Sequence, residues 1–254
     1  LVKRTALKNY RNVNKSGLIA VGLRDGDGLY DVLLTRGNDD VVLVTSAGMA
    51  IRFHEQDARL MGRAAAGVKG VEMPSGVAII GAAAIPDDEG DPPIDLLTIT
   101  DRGYGKRTPV AEYLVKSEGG STRAQSRGGK GRIDIRTTAR NGAPVVALAV
   151  EDGDDIAVVT EQGQLVRMAA SSISRYGRGA QGVRVVSLRE GDSVIAAARV
   201  VERDDEQADR PAGGPAGGRD APQPDSQPDR QPDDQAEGQP DEQPGDGSIE
   251  RGQA

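Results

Sequence analysis

Gln125-Ser126-Arg127-Gly128-Gly129-Lys130-Gly131 sets two cations among three glycines within seven residues. Glycine reaches positive φ and has no Cβ to hold a bulky ligand away. Arg can grip a phosphate bidentately through its planar fork, and Lys adds a point charge. Such a loop suits the backbone of a nucleic acid better than the edges of its bases. A basic, Gly-rich turn is as often only a solvated surface loop, so the elements that carry it must decide.

Those elements repeat. Four segments open alike: Val2-Lys3-Arg4-Thr5, Ala50-Ile51-Arg52-Phe53, Gly105-Lys106-Arg107-Thr108 and Leu165-Val166-Arg167-Met168. Three of them follow a turn ending in Gly: Thr45-Ser46-Ala47-Gly48, Thr100-Asp101-Arg102-Gly103 and Thr160-Glu161-Gln162-Gly163. Each turn follows an apolar run, such as Val41-Val42-Leu43-Val44 or Ile156-Ala157-Val158-Val159. Apolar run, Gly turn and basic-apolar alternation together predict a β-hairpin. A small-residue basic stretch with Gly before another strand then recurs at Lys15–Val21, Gly67–Val71, Gly129–Ile135 and Gly179–Val186. A further apolar strand follows, as in Val145-Val146-Ala147-Leu148-Ala149-Val150. The pattern predicts about four strands per repeat, at the spacing of roughly 40 to 60 residues typical of propeller blades. Long helical periodicity is missing, and Glu55–Met61 has room for a single helical turn at most.

On these residues the chain resembles the C-terminal domain of the DNA gyrase A subunit. Gly103–Tyr113 is similar to that family's blade opening, as are Arg59–Arg63 with Gly67–Gly70, and Gly177-Arg178 with Gln181–Val183. Gln125–Gly131 is similar to the gyrase-A box, Gln-Arg-Arg-Gly-Gly-Arg/Lys-Gly, with Ser126 where the signature has a cation. The resemblance runs from residue 1 to about 202. It implies an all-β fold, a β-pinwheel of usually six propeller-like blades, of which about four four-stranded blades are expected here. The principal box of the family lies in the first blade, whereas this run lies in the third repeat. The chain therefore reads as the last blades of a longer polypeptide.

The resemblance also implies a function. The expected role is DNA binding and wrapping by the gyrase A subunit, which with the gyrase B subunit introduces negative supercoils into duplex DNA using ATP. The implied partners are duplex DNA, the gyrase B subunit, and the upstream cleavage domain of the same polypeptide with its dimer mate in an A2B2 assembly. The enzyme would be a type IIA topoisomerase whose cleavage tyrosine and ATPase lie elsewhere. ATP and Mg²⁺ would then be used through other domains, with no cofactor on this chain. None of Tyr10, Tyr30, Tyr104, Tyr113 or Tyr176 is expected to cleave DNA. Two alternatives are the corresponding domain of the topoisomerase IV A subunit and a propeller-like protein-interaction scaffold.

Composition narrows the field. There is no Cys and one His, so disulfides and Cys-based metal sites are excluded and His54 has no companion ligand. Neither a membrane-length apolar run nor a signal peptide is visible, and a cytoplasmic, chromosome-associated protein is expected. The net charge of −7 is misleading. Of 32 basic and 39 acidic residues, 5 and 14 fall from Arg203 onward, leaving 27 and 25 in the body. The segment 203–254 is rich in Pro, Gln and Asp, has little to bury, and is expected to be a disordered acidic tail. It is either an electrostatic competitor for basic surface or a solubilising extension.

The body is near neutral, so DNA binding needs its cations gathered on one surface. The repeat openings place Lys3, Arg4, Arg52, Lys106, Arg107 and Arg167 at equivalent positions, where they are expected to form a stripe. Lys69, Arg178 and the box residues Gln125, Arg127, Gly128, Gly129, Lys130 and Gly131 complete the expected DNA site, and Lys15, Arg63 and Arg184 could extend it. Asp39-Asp40, Asp87-Asp88 and Asp154-Asp155 read as turn residues, where Asp hydrogen-bonds locally. With aromatics at 2%, stacking on single strands or RNA is disfavoured.

Overall fold

A computed structural model describes residues 1–87, 93–117 and 119–200. The expected acidic tail lies outside the described residues. The described residues form thirteen strands: β1 (Asp40–Thr45), β2 (Met49–His54), β3 (Ile79–Ile85), β4 (Asp95–Thr100), β5 (Tyr104–Pro109), β6 (Val115–Lys116), β7 (Thr122–Arg123), β8 (Arg132–Ile133), β9 (Pro144–Val150), β10 (Asp155–Thr160), β11 (Leu165–Ala169), β12 (Val183–Arg184) and β13 (Val194–Val200). The only helices among the described residues are short 3-10 turns, and Glu55–Asp57 is the single turn allowed by sequence.

The predicted hairpins form. β1–β2, β4–β5 and β10–β11 are antiparallel pairs, each flanked by the apolar strand that follows, in the orders β3-β1-β2-β8, β9-β4-β5-β12 and β13-β10-β11. β6 and β7 make a small separate ribbon. The grouping of strands differs from the sequence expectation of about four four-stranded blades. The fourth strand of a sheet comes from the next repeat: β8 pairs with β2, and β12 pairs with β5. Val68 bridges to Val2 in the same way. Each blade therefore lends a short outer strand to the blade before it. The first repeat forms no sheet of its own, and its apolar residues Leu29, Val32 and Leu34 are exposed. The third sheet has three strands, with Leu165 of β11 exposed.

The core lies between neighbouring sheets. Leu97 and Ile99 of β4 pack with Ile156 and Val158 of β10, and Val42, Val44 and Ile85 pack with Leu96, Val110 and Tyr113. β4 is buried along its whole length because it has a blade on either face. Burying a side chain of this size contributes about 1.5–3 kcal/mol. Small β-branched residues allow such thin sheets to stack closely.

Candidate nucleic-acid interface

The recurrent arginines are held by the hairpins that present them. In antiparallel pairing, the first residue of β1, β4 and β10 is an aspartate that reaches an arginine twelve residues on. Arg52 Nε donates to Asp40 at 2.7 Å, Arg107 Nη1 to Asp95 at 3.2 Å, and Arg167 Nε to Asp155 at 2.7 Å. The same kind of guanidinium also ties one blade to the next. Arg4 Nε donates to Ala58 O at 2.9 Å, Arg52 Nη1 to Val110 O at 3.0 Å, and Arg107 Nε to Ile173 O at 2.7 Å. Each acceptor lies in or just after the 3-10 turn of the following blade. Arg4 also pairs with the buried Glu55.

These positions do not form the solvated stripe expected from sequence. Lys106 is 0% exposed, Arg107 4% and Arg52 5%. Lys106 Nζ donates to Thr108 Oγ1 at 2.6 Å and Gly177 O at 3.3 Å, and reaches Asp134 Oδ1 at 3.5 Å. Thr98 and Tyr113 hydroxyls also donate to Asp134. Burial pulls the Lys106 ammonium below its ordinary value, with Asp134 opposing, and burial together with Asp134 pushes the Tyr113 phenol well up. The physical reason for the difference is strand exchange, which sandwiches each hairpin between two neighbours. An ion taken out of water there needs a partner. Lys3 is spent on Ala20 O and Arg63 O, and Arg167 is half exposed yet paired with Asp155. In two of the three acidic pairs the first aspartate caps a turn as expected, Asp39 accepting from Arg36 N and Asp154 from Glu151 N, while Asp40 and Asp155 hold arginines; Asp87 instead accepts from the Asn38 amide, and Asp88 lies outside the described residues. His54 Nδ1 accepts from Gln56 N and caps a turn.

The box is a wedge on the preceding blade. Gln125 N donates to Arg52 O, Gly128 N to Gly70 O, and Glu72 N to Gly129 O. Gly131 sits at φ +76°, and a Cβ there would lie 2.4 Å from Ala50 O; Gly67 and Gly182 occupy the same place against Val2 O and Gly105 O. Only glycine permits that approach. Arg127 Nε and Nη1 donate to Asp57 O and Lys69 O, each at 2.8 Å. Arg178, its counterpart in the next repeat, reaches Ile133 O at 3.5 Å and Glu112 at 3.9 Å. The box arginine thus clamps neighbouring blades. Lys130 remains exposed at the loop, and the exposed Lys69 runs alongside Gly128. The structure therefore brings Lys69, Arg127, Gly128, Gly129 and Lys130 together, and sets Arg52, Lys106, Arg107 and Arg178 between blades.

A series of hairpin sheets that lend strands to one another defines a propeller-type domain, with a cationic loop on its outer strands. The model of the family described as DNA gyrase C-terminal domain, beta-propeller, matches residues 1–36, 39–86, 95–121, 123–150 and 154–200, and the chain belongs to that family. The DNA gyrase A subunit of Staphylococcus epidermidis is 40% identical over 205 residues, covering 81% of this chain and 22% of that protein. Its Salmonella typhimurium counterpart is 41% identical over 206 residues, with the same coverage. The chain thus spans about a fifth of the length of these relatives. Among solved structures, a C-terminal domain of DNA topoisomerase IV aligns with a TM-score of 0.68 at 26% identity, covering 78% of this chain and 58% of that one. A DNA gyrase A C-terminal domain aligns with a TM-score of 0.58 at 24% identity, covering 74% and 59%, and supports the fold. Among the described residues no helix is long and apolar enough to cross a membrane.

Proposed function

We propose that the chain is the DNA-wrapping part of a gyrase A subunit. It binds duplex DNA through cations on the outer strands and bends it without reading sequence. The observation that carries this is the division of labour among cations. Buried arginines fix the blades, and Lys69 and Lys130 stay exposed on the box edge. Bending a duplex costs a few kcal/mol per roughly 20–30 bp, so several phosphate contacts must offset it. In the intact enzyme, the gyrase B subunit would supply ATP hydrolysis, and an upstream domain with its dimer mate would cleave DNA. The curved segment would present a neighbouring duplex for strand passage with one handedness, yielding negative supercoils in the cytoplasm. The box and the gyrase relatives support this reading. The alignment with a topoisomerase IV domain favours a second one, the corresponding part of the topoisomerase IV A subunit.

The test is a topology assay with the full chain. Nicked plasmid is sealed by ligase with and without protein, and the linking number is read on a gel. A shift of one sign, growing with protein, is expected. An unchanged topoisomer distribution at saturating protein overturns wrapping.

A further inference from the structure

The second sheet carries a cationic cluster outside the box. Tyr104 opens β5, and Arg184 lies directly opposite it on the borrowed strand β12. The Arg184 guanidinium carbon is 5.7 Å from the Tyr104 ring centroid, and that of Arg140 is 5.2 Å away. Arg184 Nη2 also donates to the phenol oxygen at 3.4 Å. The backbone of Arg140 is held in place by its buried neighbour Asn141. The Asn141 amide donates to Arg136 O and Gln181 O, and its oxygen accepts from Thr138. Asp101, at the hairpin tip, accepts from Ala143 N and locks the other side of the loop. By the same register, Leu1 with Lys69, and Met49 with Ile133, hold the matching positions in the two preceding blades.

We propose that Arg140, Tyr104 and Arg184 form a second duplex-DNA contact that grips backbone phosphate. The inference rests on the DNA-wrapping reading and locates a further point of contact for the duplex. Among the described residues, neither arginine enters a salt bridge, unlike Arg107 with Asp95. A guanidinium stacked on a ring uses its face and keeps in-plane N–H donors for a phosphate fork. The two guanidiniums also occupy the ring that a single-stranded base would need as a stacking platform, which favours duplex backbone over unpaired bases. Arg184 matches Lys69 in outer-strand position, so both cations belong to the same edge of their blades. The Arg184 hydrogen bond, with the Arg140 guanidinium also over the ring, holds the Tyr104 phenol below its ordinary value of 10.0, consistent with concentrated positive charge.

The experiment uses the full chain and plain mixed-sequence duplex DNA at low salt, comparing the unaltered protein with Arg140→Gln/Arg184→Gln and with Lys69→Gln/Lys130→Gln. Replacing both arginines should weaken binding about tenfold. It should also flatten the log–log salt slope by roughly two, at about 0.9 per phosphate contact. Ultraviolet titration, with Tyr104→Phe as reference, should show the Tyr104 phenol rising toward its ordinary range in the arginine variant. Circular dichroism should stay unchanged, since both side chains are exposed. Unchanged affinity and slope in the arginine variant, with weakened binding in the lysine variant, would overturn this contact and leave wrapping intact. Failure of the unaltered chain to bind duplex would overturn both.

Discussion

Arg107 and Lys130 belong to one repeat protein and carry the same charge, yet they sit in opposite settings. Arg107 is 4% exposed, faces Asp95 and Asp152, and donates to Ile173 O of the next blade. Lys130 projects from a loop whose glycines and arginine are already committed to the preceding blade. Recurrence at equivalent positions therefore has two readings in a repeat fold. A cation that recurs together with an aspartate is an inter-blade tie. A cation that stands alone on an outer strand is available to a ligand.

The largest effect should come from the tie. Arg107→Leu leaves the fully buried Asp95 with Arg175 as its remaining basic partner. Breaking a buried pair from one side costs about 3–5 kcal/mol, whereas Lys130→Ala should stay within about 0.5 kcal/mol. Denaturant unfolding of the two variants checks this contrast, and equal losses would erase it. The reverse contrast is expected in binding. Lys69→Gln/Lys130→Gln should weaken duplex affinity about tenfold at low salt, with a slope reduced by about 0.9 for each phosphate no longer neutralised. Its melting temperature should not move.

Much of this was readable in the chain. The Gly turns and apolar runs specify the three hairpins, and the single turn at Glu55–Asp57 fits its short window. The constant twelve-residue interval in Asp40…Arg52, Asp95…Arg107 and Asp155…Arg167 was also available, and it marks the cross-hairpin pairs. Reading the arginines alone, without their aspartates, turns a tie into a stripe. Strand lending was not legible. β8 and β12 are two-residue strands whose partners lie a repeat away, and no local pattern encodes that pairing. Burial of Lys106 is likewise non-local: Asp134 reaches it from just past β8, the strand lent to the preceding sheet, and Gly177 O from the next repeat.

A moderate effect is expected at acid pH. Burial would raise the Glu55 carboxyl, but Thr35, the Asp39 and Gly37 amides and Arg4 outweigh it and hold the group below its ordinary value of 4.5. The native state then takes up this proton less readily than the unfolded one. The stabilisation is present above the unfolded value and is lost as pH falls through the folded value. Glu55→Gln should therefore lower stability at neutral pH and flatten the loss below about pH 4.5, as read by thermal melts across pH. An acid limb of unchanged slope would remove Glu55 from the Arg4 tie.

The smallest effect concerns the sequence from Arg203 onward, with its 14 acidic and 5 basic residues. Tethered carboxylates compete with phosphate at a high effective concentration, most strongly where the Debye length is long. Deleting 203–254 should tighten DNA binding a few-fold at low salt, with the gain fading as salt rises. Equal affinity at low salt would assign the segment to solubility.

The most direct measurement is duplex affinity of the full chain as a function of salt, on several unrelated sequences. Outer-strand cations meeting phosphates predict a straight log–log fall at about −0.9 per phosphate neutralised, the same for every sequence. Affinity that ignores salt, or that follows one sequence, would contradict a surface built to hold DNA by its backbone.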